Sequence, residues 1–265
     1  PVPVIPYSRS LQPGSPPFIT VITDLVSTHA FWFDHRSDLV LVPTEIARRC
    51  GLAYGLRPKQ IRVTGLPVVQ RFCQPVEDRR LIRARLGWPV DLPVILLVAG
   101  GDGMGPIDKV ARAISNAHLN AVLVIVTGRN QKLMERLDGE EWSMPTYIYG
   151  FVQTMPDFMR CADILLTKAG SVTIAEAFIT GLPMILYRRI PGQEDGNVSY
   201  VVNEGAGVWA HEPERIIEVL SGWLDHPDER AKFARNCHRL AKPDASQRIA
   251  QVIAEQLGMA KESIL

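Results

Sequence analysis

The sequence predicts an α/β protein built on parallel sheets, divided into two unequal domains. From residue 93 onward, short apolar runs alternate regularly with segments of helical periodicity, and strand–helix–strand at that spacing gives a parallel sheet covered on both faces. Five successive runs end in glycine or polar clusters, whereas their opposite ends carry nothing as distinctive. Structural turns alone should not choose a side, so the clusters mark the carboxyl edge of a sheet, where such folds bind ligands. The amino-terminal third holds only three apolar runs.

Those three runs are residues 18–23 (FITVIT), 38–42 (DLVLV) and 61–64, with a helix expected over 43–50. Three strands make a poor domain unless more structure covers them. Residues 1–72 therefore read as the back half of an α/β domain. Asp24 and His29 follow the first strand, where a site can lie, although a turn cap and a loop residue would look the same. The aromatic triplet Phe31-Trp32-Phe33 is expected in core or interdomain packing, with an exposed wedge touching lipid as the alternative. Residues 73–92 are charged and proline-flanked, with a helical piece over 78–86, and read as an interdomain connector.

The second domain, 93–242, carries expected strands at 94–99, 122–126, 147–149, 164–166 and 184–186. Helices are expected at 106–117, 131–137, 156–161 and 172–180. Pro106 stands at a first helical position, and Thr154-x-x-Asp157 resembles a capping box. Helices at 214–224 and 227–240 follow, and 243–265 forms a carboxyl-terminal helix capped by Asp244.

Composition narrows the function classes. Of 265 residues, 46% are hydrophobic and 22% charged, as in an ordinary globular protein. A net charge of +1 gives no argument for a nucleic-acid partner. The four cysteines are far apart and form no C-x-x-C pair, so neither a disulfide framework nor a zinc site is expected, and a reducing compartment is. The longest apolar runs, 93–99 and 121–126, fall well short of the ~20 residues of a membrane helix.

The chemistry concentrates in 164–209. An apolar run ends in Thr167-Lys168-Ala169-Gly170-Ser171, and a helical segment stops at Gly181 with Pro183 just beyond. Gly170 permits close backbone approach, and the free N–H groups of Ser171, Val172 and Thr173 open the helix with its positive end outward, which suits a diphosphate. The Gly100–Pro106 loop is phosphate-like in outline, but it lacks the G-x-G-x-x-G order and the Lys-Ser/Thr of a P-loop. Glu176 fits either macrodipole complementarity or a carboxylate holding a ribose diol. Gln193, Glu194 and Asn197, in a polar loop over 191–197, fit sugar hydroxyls or a solvated loop equally.

Quoted together, these segments resemble glycosyltransferase family 28, of the two-domain GT-B type, and within it the monogalactosyldiacylglycerol synthase and diacylglycerol glucosyltransferase group. The residues that carry the resemblance are Thr23-Asp24 through Trp32-Phe33, Gly65-Leu66-Pro67-Val68, Gly100–Pro106, Gly150-Phe151-Val152, Lys168-Ala169-Gly170, Thr173-Ile174-Ala175-Glu176-Ala177, Gly181-Leu182-Pro183 and Gly192–Asn197. The resemblance implies an inverting, metal-independent transferase with no cofactor beyond its UDP-sugar, moving galactose or glucose to diacylglycerol. It places such an enzyme peripherally on the cytoplasmic face of a membrane. It also implies uracil against Phe151 and Val152, and diphosphate on Gly101, Gly103, Gly170, Ser171, Val172 and Thr173. Ribose would fall on Glu176 and the hexose on Gln193, Glu194 and Asn197, with Asp24, His29 and Trp32 on the acceptor side. Ser171-Val172 departs from the Pro-Gly of plant-type synthases, and the Gly100–Gly105 loop is shorter and less acidic, which leaves the hexose open. No Gly-Gly-x-His stretch occurs, so the family's general-base histidine is expected outside these residues. A UDP-sugar-binding module without catalysis and a UDP-N-acetylglucosamine 2-epimerase of the same architecture are the alternatives.

Overall fold

The computed structural model describes residues 16–74, 77–100 and 106–259. Strands β1 (Ile19–Val21), β2 (Leu39–Val42) and β3 (Ile61–Val63) form a small parallel sheet in that order, with helix α1 (Glu45–Ala53) between the last two. Thr44 caps α1 by accepting the Ala47 N–H. Helix α2 (Arg79–Leu86) begins at Asp78, whose carboxylate accepts the Arg80 N–H, and ends at Gly87 in the left-handed conformation that glycine favours.

A six-stranded parallel sheet follows. Its strands are β4 (Val94–Val98), β5 (Val122–Val126), β6 (Thr146–Tyr149), β7 (Ile164–Lys168), β8 (Met184–Arg188) and β9 (Gly207–Trp209), in the order β6-β5-β4-β7-β8-β9. The helices are α3 (Ile107–Asn116), α4 (Gln131–Asp138), α5 (Met155–Cys161), α6 (Ser171–Thr180), α7 (Asp195–Asn203), α8 (Pro213–Asp225), α9 (Pro227–Leu240) and α10 (Ala245–Gln256). Alternate strand residues serve opposite faces: Leu96 and Val124 pack with Trp88, Phe158 and Phe178, whereas Leu97 and Ile125 pack with Ile107, Leu220 and Trp223. Burial on both faces is why these strands read as unbroken apolar runs. Winding outward from β4 to β6 and then returning to β7 makes the gap between the β4 and β7 ends a topological switch point.

Helix α10 crosses back to the small sheet, where Ile249 packs on Leu39 and Leu41. Its start requires glycine at Gly65, where a Cβ would lie 2.8 Å from both Ala245 Cβ and Lys242 Cβ. On α2, Arg79 and Arg83 meet Asp163 at 3.0 and 2.7 Å. Asp163 also accepts the Val94 N–H, and Arg83 is buried. This cluster clamps α2 to the amino-terminal ends of β4 and β7.

Several local expectations need correction. Residues 195–203 are helical, so Asn197 stands inside the first turn of α7 and not in a loop. Neither α7 nor the three-residue β9 was foreseen: Glu194 gives α7 no side-chain cap, and β9 is too short to show periodicity. Thr154 makes no capping bond, and Asp244 instead accepts from Arg248 at 2.6 Å. Of the aromatic triplet only Phe33 is buried, at 3%; Phe31 is 77% exposed and Trp32 also reaches solvent. A 3-10 turn over Ala30–Trp32 explains the split, because it turns Phe33 alone toward Gly51 and Ile61.

Candidate functional site

At the switch point the chain opens a helix without a side-chain cap. Helix α6 starts at Gly170 with no side-chain cap, so the first-turn N–H groups of Ser171, Val172 and Thr173 lack intrahelical partners. Gly170 and Ser171 are half-buried and Val172 is exposed, so the turn is open to a ligand. A Cβ at Gly170 would lie 3.0 Å from Lys168 Nζ, and one at Gly100 would lie 3.4 Å from Lys168 Cε. The Lys168 side chain therefore bridges the β4 and β7 ends, and the α6 turn is continuous with the start of the glycine loop. Gly101 and Gly103, expected on the diphosphate, lie outside the described residues.

Lys168 is ion-paired to Glu194, whose other oxygen accepts the Ile190 N–H at 2.8 Å. Glu194 is only 4% exposed, so it braces the loop from beneath while Gln193 faces solvent. Asn197, 2% exposed, donates from Nδ2 to the Ala169 carbonyl and to Ser171 Oγ, and its Oδ1 has no partner among the described residues. Ser171 Oγ also accepts the Leu25 N–H, and Ser27 Oγ accepts the Gly196 N–H at 2.8 Å. The 24–28 segment is thus tied to the openings of α6 and α7; it caps α7 at Gly196 and, at α6, bonds the Ser171 hydroxyl rather than the first-turn N–H groups.

Gly196 requires its missing side chain: a Cβ there would stand 2.2 Å from Ser27 Oγ, 3.0 Å from Val26 Cγ1 and 3.3 Å from the Ser27 nitrogen. Gly196→Ala is expected to lower folding stability by about 1–3 kcal/mol through overpacking, read by urea denaturation. Ser27→Ala in the same chain should recover part of that loss; no recovery would put the clash elsewhere.

Glu176 sits on α6 behind this turn. Burial pushes its carboxyl up to about 7, a value suited to a group awaiting hydrogen-bond donors. At the ends of β5 and β6, Phe151 is 58% exposed, and the Arg129 guanidinium lies 5.2 Å from its ring centroid.

Asp24, His29 and Trp32 line a single cleft of about 1090 Å³ together with Gln193 and Ile190. Burial raises the Asp24 carboxyl above its ordinary value. His29 Nδ1 accepts the Phe31 N–H at 3.2 Å and its ring stacks on Phe31, which commits that nitrogen to the turn. Those of the expected residues that are described thus gather at one edge of the large sheet and in the cleft facing it. Lys168 and Arg129 were given no role from sequence. Their signal is a cation at a strand's carboxyl end beside a glycine turn, as in Lys168-Ala169-Gly170 and Gly128-Arg129.

Comparison with known proteins gives the family and the fold. The profile of the glycosyltransferase family 28 C-terminal domain matches residues 95–249. The chain belongs to glycosyltransferase family 28. A profile for monogalactosyldiacylglycerol (MGDG) synthase matches residues 4–68. Over 246 residues the chain is 43% identical to an Oryza sativa subsp. japonica protein named "Probable monogalactosyldiacylglycerol synthase 2, chloroplastic", covering 89% of this chain and 52% of that protein. Over 247 residues it is 40% identical to Arabidopsis thaliana monogalactosyldiacylglycerol synthase 1, chloroplastic, covering 90% and 46%. The family 28 chain thus spans about half the length of these relatives. Among solved structures, the S. aureus MnaA–UDP co-structure superposes with a TM-score of 0.71 at 18% identity, covering 92% of this chain and 70% of that one. Acinetobacter baumannii MurG superposes at 0.64 with 16% identity, covering 90% and 68%. The fold is therefore of the GT-B type. Among the described residues, no group of three His, Cys, Asp or Glu is placed to hold a metal, and no helix is long and apolar enough to cross a membrane.

Proposed function

We propose that this chain carries the donor half and part of the acceptor half of a lipid hexosyltransferase, one that moves galactose or glucose from a UDP-sugar to diacylglycerol. The observation that carries the reading is the uncapped opening of α6 at the switch point, with Lys168 held between Gly100 and Gly170. Two negative charges on a diphosphate suit those N–H groups and that ammonium. Lys168 would then be shared between the diphosphate and Glu194.

In this reading Gly101 and Gly103 belong with the diphosphate contacts, and the backbone at Phe151-Val152 holds the edge of the uracil. Ionised Glu176 accepts the two ribose hydroxyls. Gln193 reaches the hexose from above, while Glu194 and Asn197 fix its loop and present the unpartnered Asn197 Oδ1. The diacylglycerol hydroxyl oxygen attacks the anomeric carbon as the bond to the β-phosphate oxygen breaks. UDP leaves, the anomeric configuration inverts, and the hydroxyl proton passes to a base that none of these residues is assigned to be. Asp24, His29 and Trp32 line the acceptor side of the cleft.

The protein would meet its acceptor peripherally, on the cytoplasmic face of a membrane. Phe31 and Tyr54 are exposed beside Trp32, and Trp32, Tyr54 and Ile190 share the cleft wall. Exposed aromatic and aliphatic side chains around a lipid-accepting opening suit the headgroup boundary.

Two measurements test the reading. Titration calorimetry on this chain should show UDP binding, and its absence from a folded sample sinks the proposal. The full-length protein should transfer radiolabelled hexose from UDP-galactose or UDP-glucose to diacylglycerol in liposomes. Conversion of UDP-N-acetylglucosamine without lipid would favour the epimerase alternative.

A further inference from the structure

The turn between β5 and α4 is held too firmly to be a passive connection. Thr127 directs both its N–H and its hydroxyl to the Tyr149 carbonyl, at 2.9 and 3.1 Å. Gly128 has a φ of +64°, and a Cβ at Gly150 would lie 3.1 Å from Met134 Sδ. Asn130 then caps α4 through the Leu133 N–H at 3.0 Å. Arg129 is thereby fixed at its backbone between a locked glycine and a helix cap. Its side chain projects from the carboxyl edge of the sheet over the exposed ring of Phe151. It forms no ion pair with any of the described residues.

We propose that Arg129 is the nucleobase-covering residue of this site, its planar guanidinium stacking on the face of a pyrimidine whose edge is held at Phe151-Val152. The inference rests on the UDP-sugar reading above. A guanidinium stacks on any flat π-system, and an arginine already parked on Phe151 meets an incoming base without searching for its rotamer. On binding, one face of the guanidinium stays on the phenyl ring while the other meets the pyrimidine, and its N–H donors stay in water. A lysine at this position has the charge without the plane.

The test is a set of calorimetric titrations of UDP, UMP and inorganic pyrophosphate into the wild type, Arg129→Ala and Arg129→Lys. Both variants should bind UDP and UMP roughly five- to thirty-fold more weakly, as expected for one lost cation–π contact. Their pyrophosphate affinity and thermal midpoint should match the wild type. Equal losses for UDP and pyrophosphate would make Arg129 a phosphate contact and overturn the assignment, as would full retention of affinity by Arg129→Lys or by both variants. A wild type that binds no UDP defeats the UDP-sugar reading itself. A wild type that binds UDP as well as Arg129→Ala does defeats only the role of Arg129.

Discussion

Asp163→Ala is expected to lose about 3–5 kcal/mol of folding stability, the cost of stripping the partner from a buried charge. Arg83 is the charge left behind. Its side chain is 8% exposed and already donates to the Cys161, Val90 and Leu92 carbonyls, so it cannot turn out to water. The Val94 N–H at the start of β4 loses its acceptor as well. Burial alone would raise the Asp163 carboxyl, but Arg79, the Val94 N–H and Arg83 outweigh it and hold the carboxyl below its ordinary value of 3.8. The sign follows: a depressed carboxyl contributes stability above its unfolded-state value and loses it as pH falls through the folded-state value. The gap between Asp163→Ala and wild type should therefore be full at neutral pH and shrink in strong acid. Guanidinium denaturation at pH 7 and at pH 3 reads both effects. A loss below about 1 kcal/mol at pH 7 would place this cluster with ordinary surface pairs.

The second large effect belongs to Glu176. Burial pushes its carboxyl up to about 7 in the free protein, so half the molecules near neutrality carry a proton where the ribose reading needs a charge. A bound diol favours the ionised form and draws the value down. UDP-hexose affinity should then rise with pH by up to about tenfold per unit below 7 and level off above it. The ligand's own diphosphate diester keeps both charges across this range, so the slope reports the protein. Binding at pH 6 should release up to one proton, seen as a dependence of calorimetric heat on buffer ionisation enthalpy. Glu176→Gln should bind weakly at all pH values with no slope. An affinity in wild type that does not change between pH 6 and 8 would remove Glu176 from the ribose. Folding stability without ligand runs the other way: the folded state keeps a proton that the unfolded chain gives up above about 4.5, so stability falls from there toward 7 and is flat beyond.

The central strands were legible because burial on both faces leaves unbroken apolar runs, and α6 was legible because Gly170 and Gly181 bracket it. The glycines also marked the carboxyl edge of the large sheet, since a parallel sheet gathers the carboxyl ends of all its strands. What escaped were relations between distant residues. Ser171 reads locally as one more donor at a helix opening, yet its hydroxyl serves Leu25, 146 positions earlier in the chain. Glu194 reads as a polar loop residue until Lys168 is found across from it. Phe31 and Phe33 are the same residue type two positions apart, and only the turn between them decides which one meets water. No periodicity encodes any of these.

The crossing of α10 back onto the first sheet has a mechanical meaning. On one side, Gly65 meets Lys242 and Ala245 at the start of α10. On the cleft side, Leu25 is held by Ser171 and Gly196 by Ser27. Ties on both sides oppose rotation of one sheet against the other, so the cleft bearing Gln193 and Trp32 keeps its shape only as long as both hold.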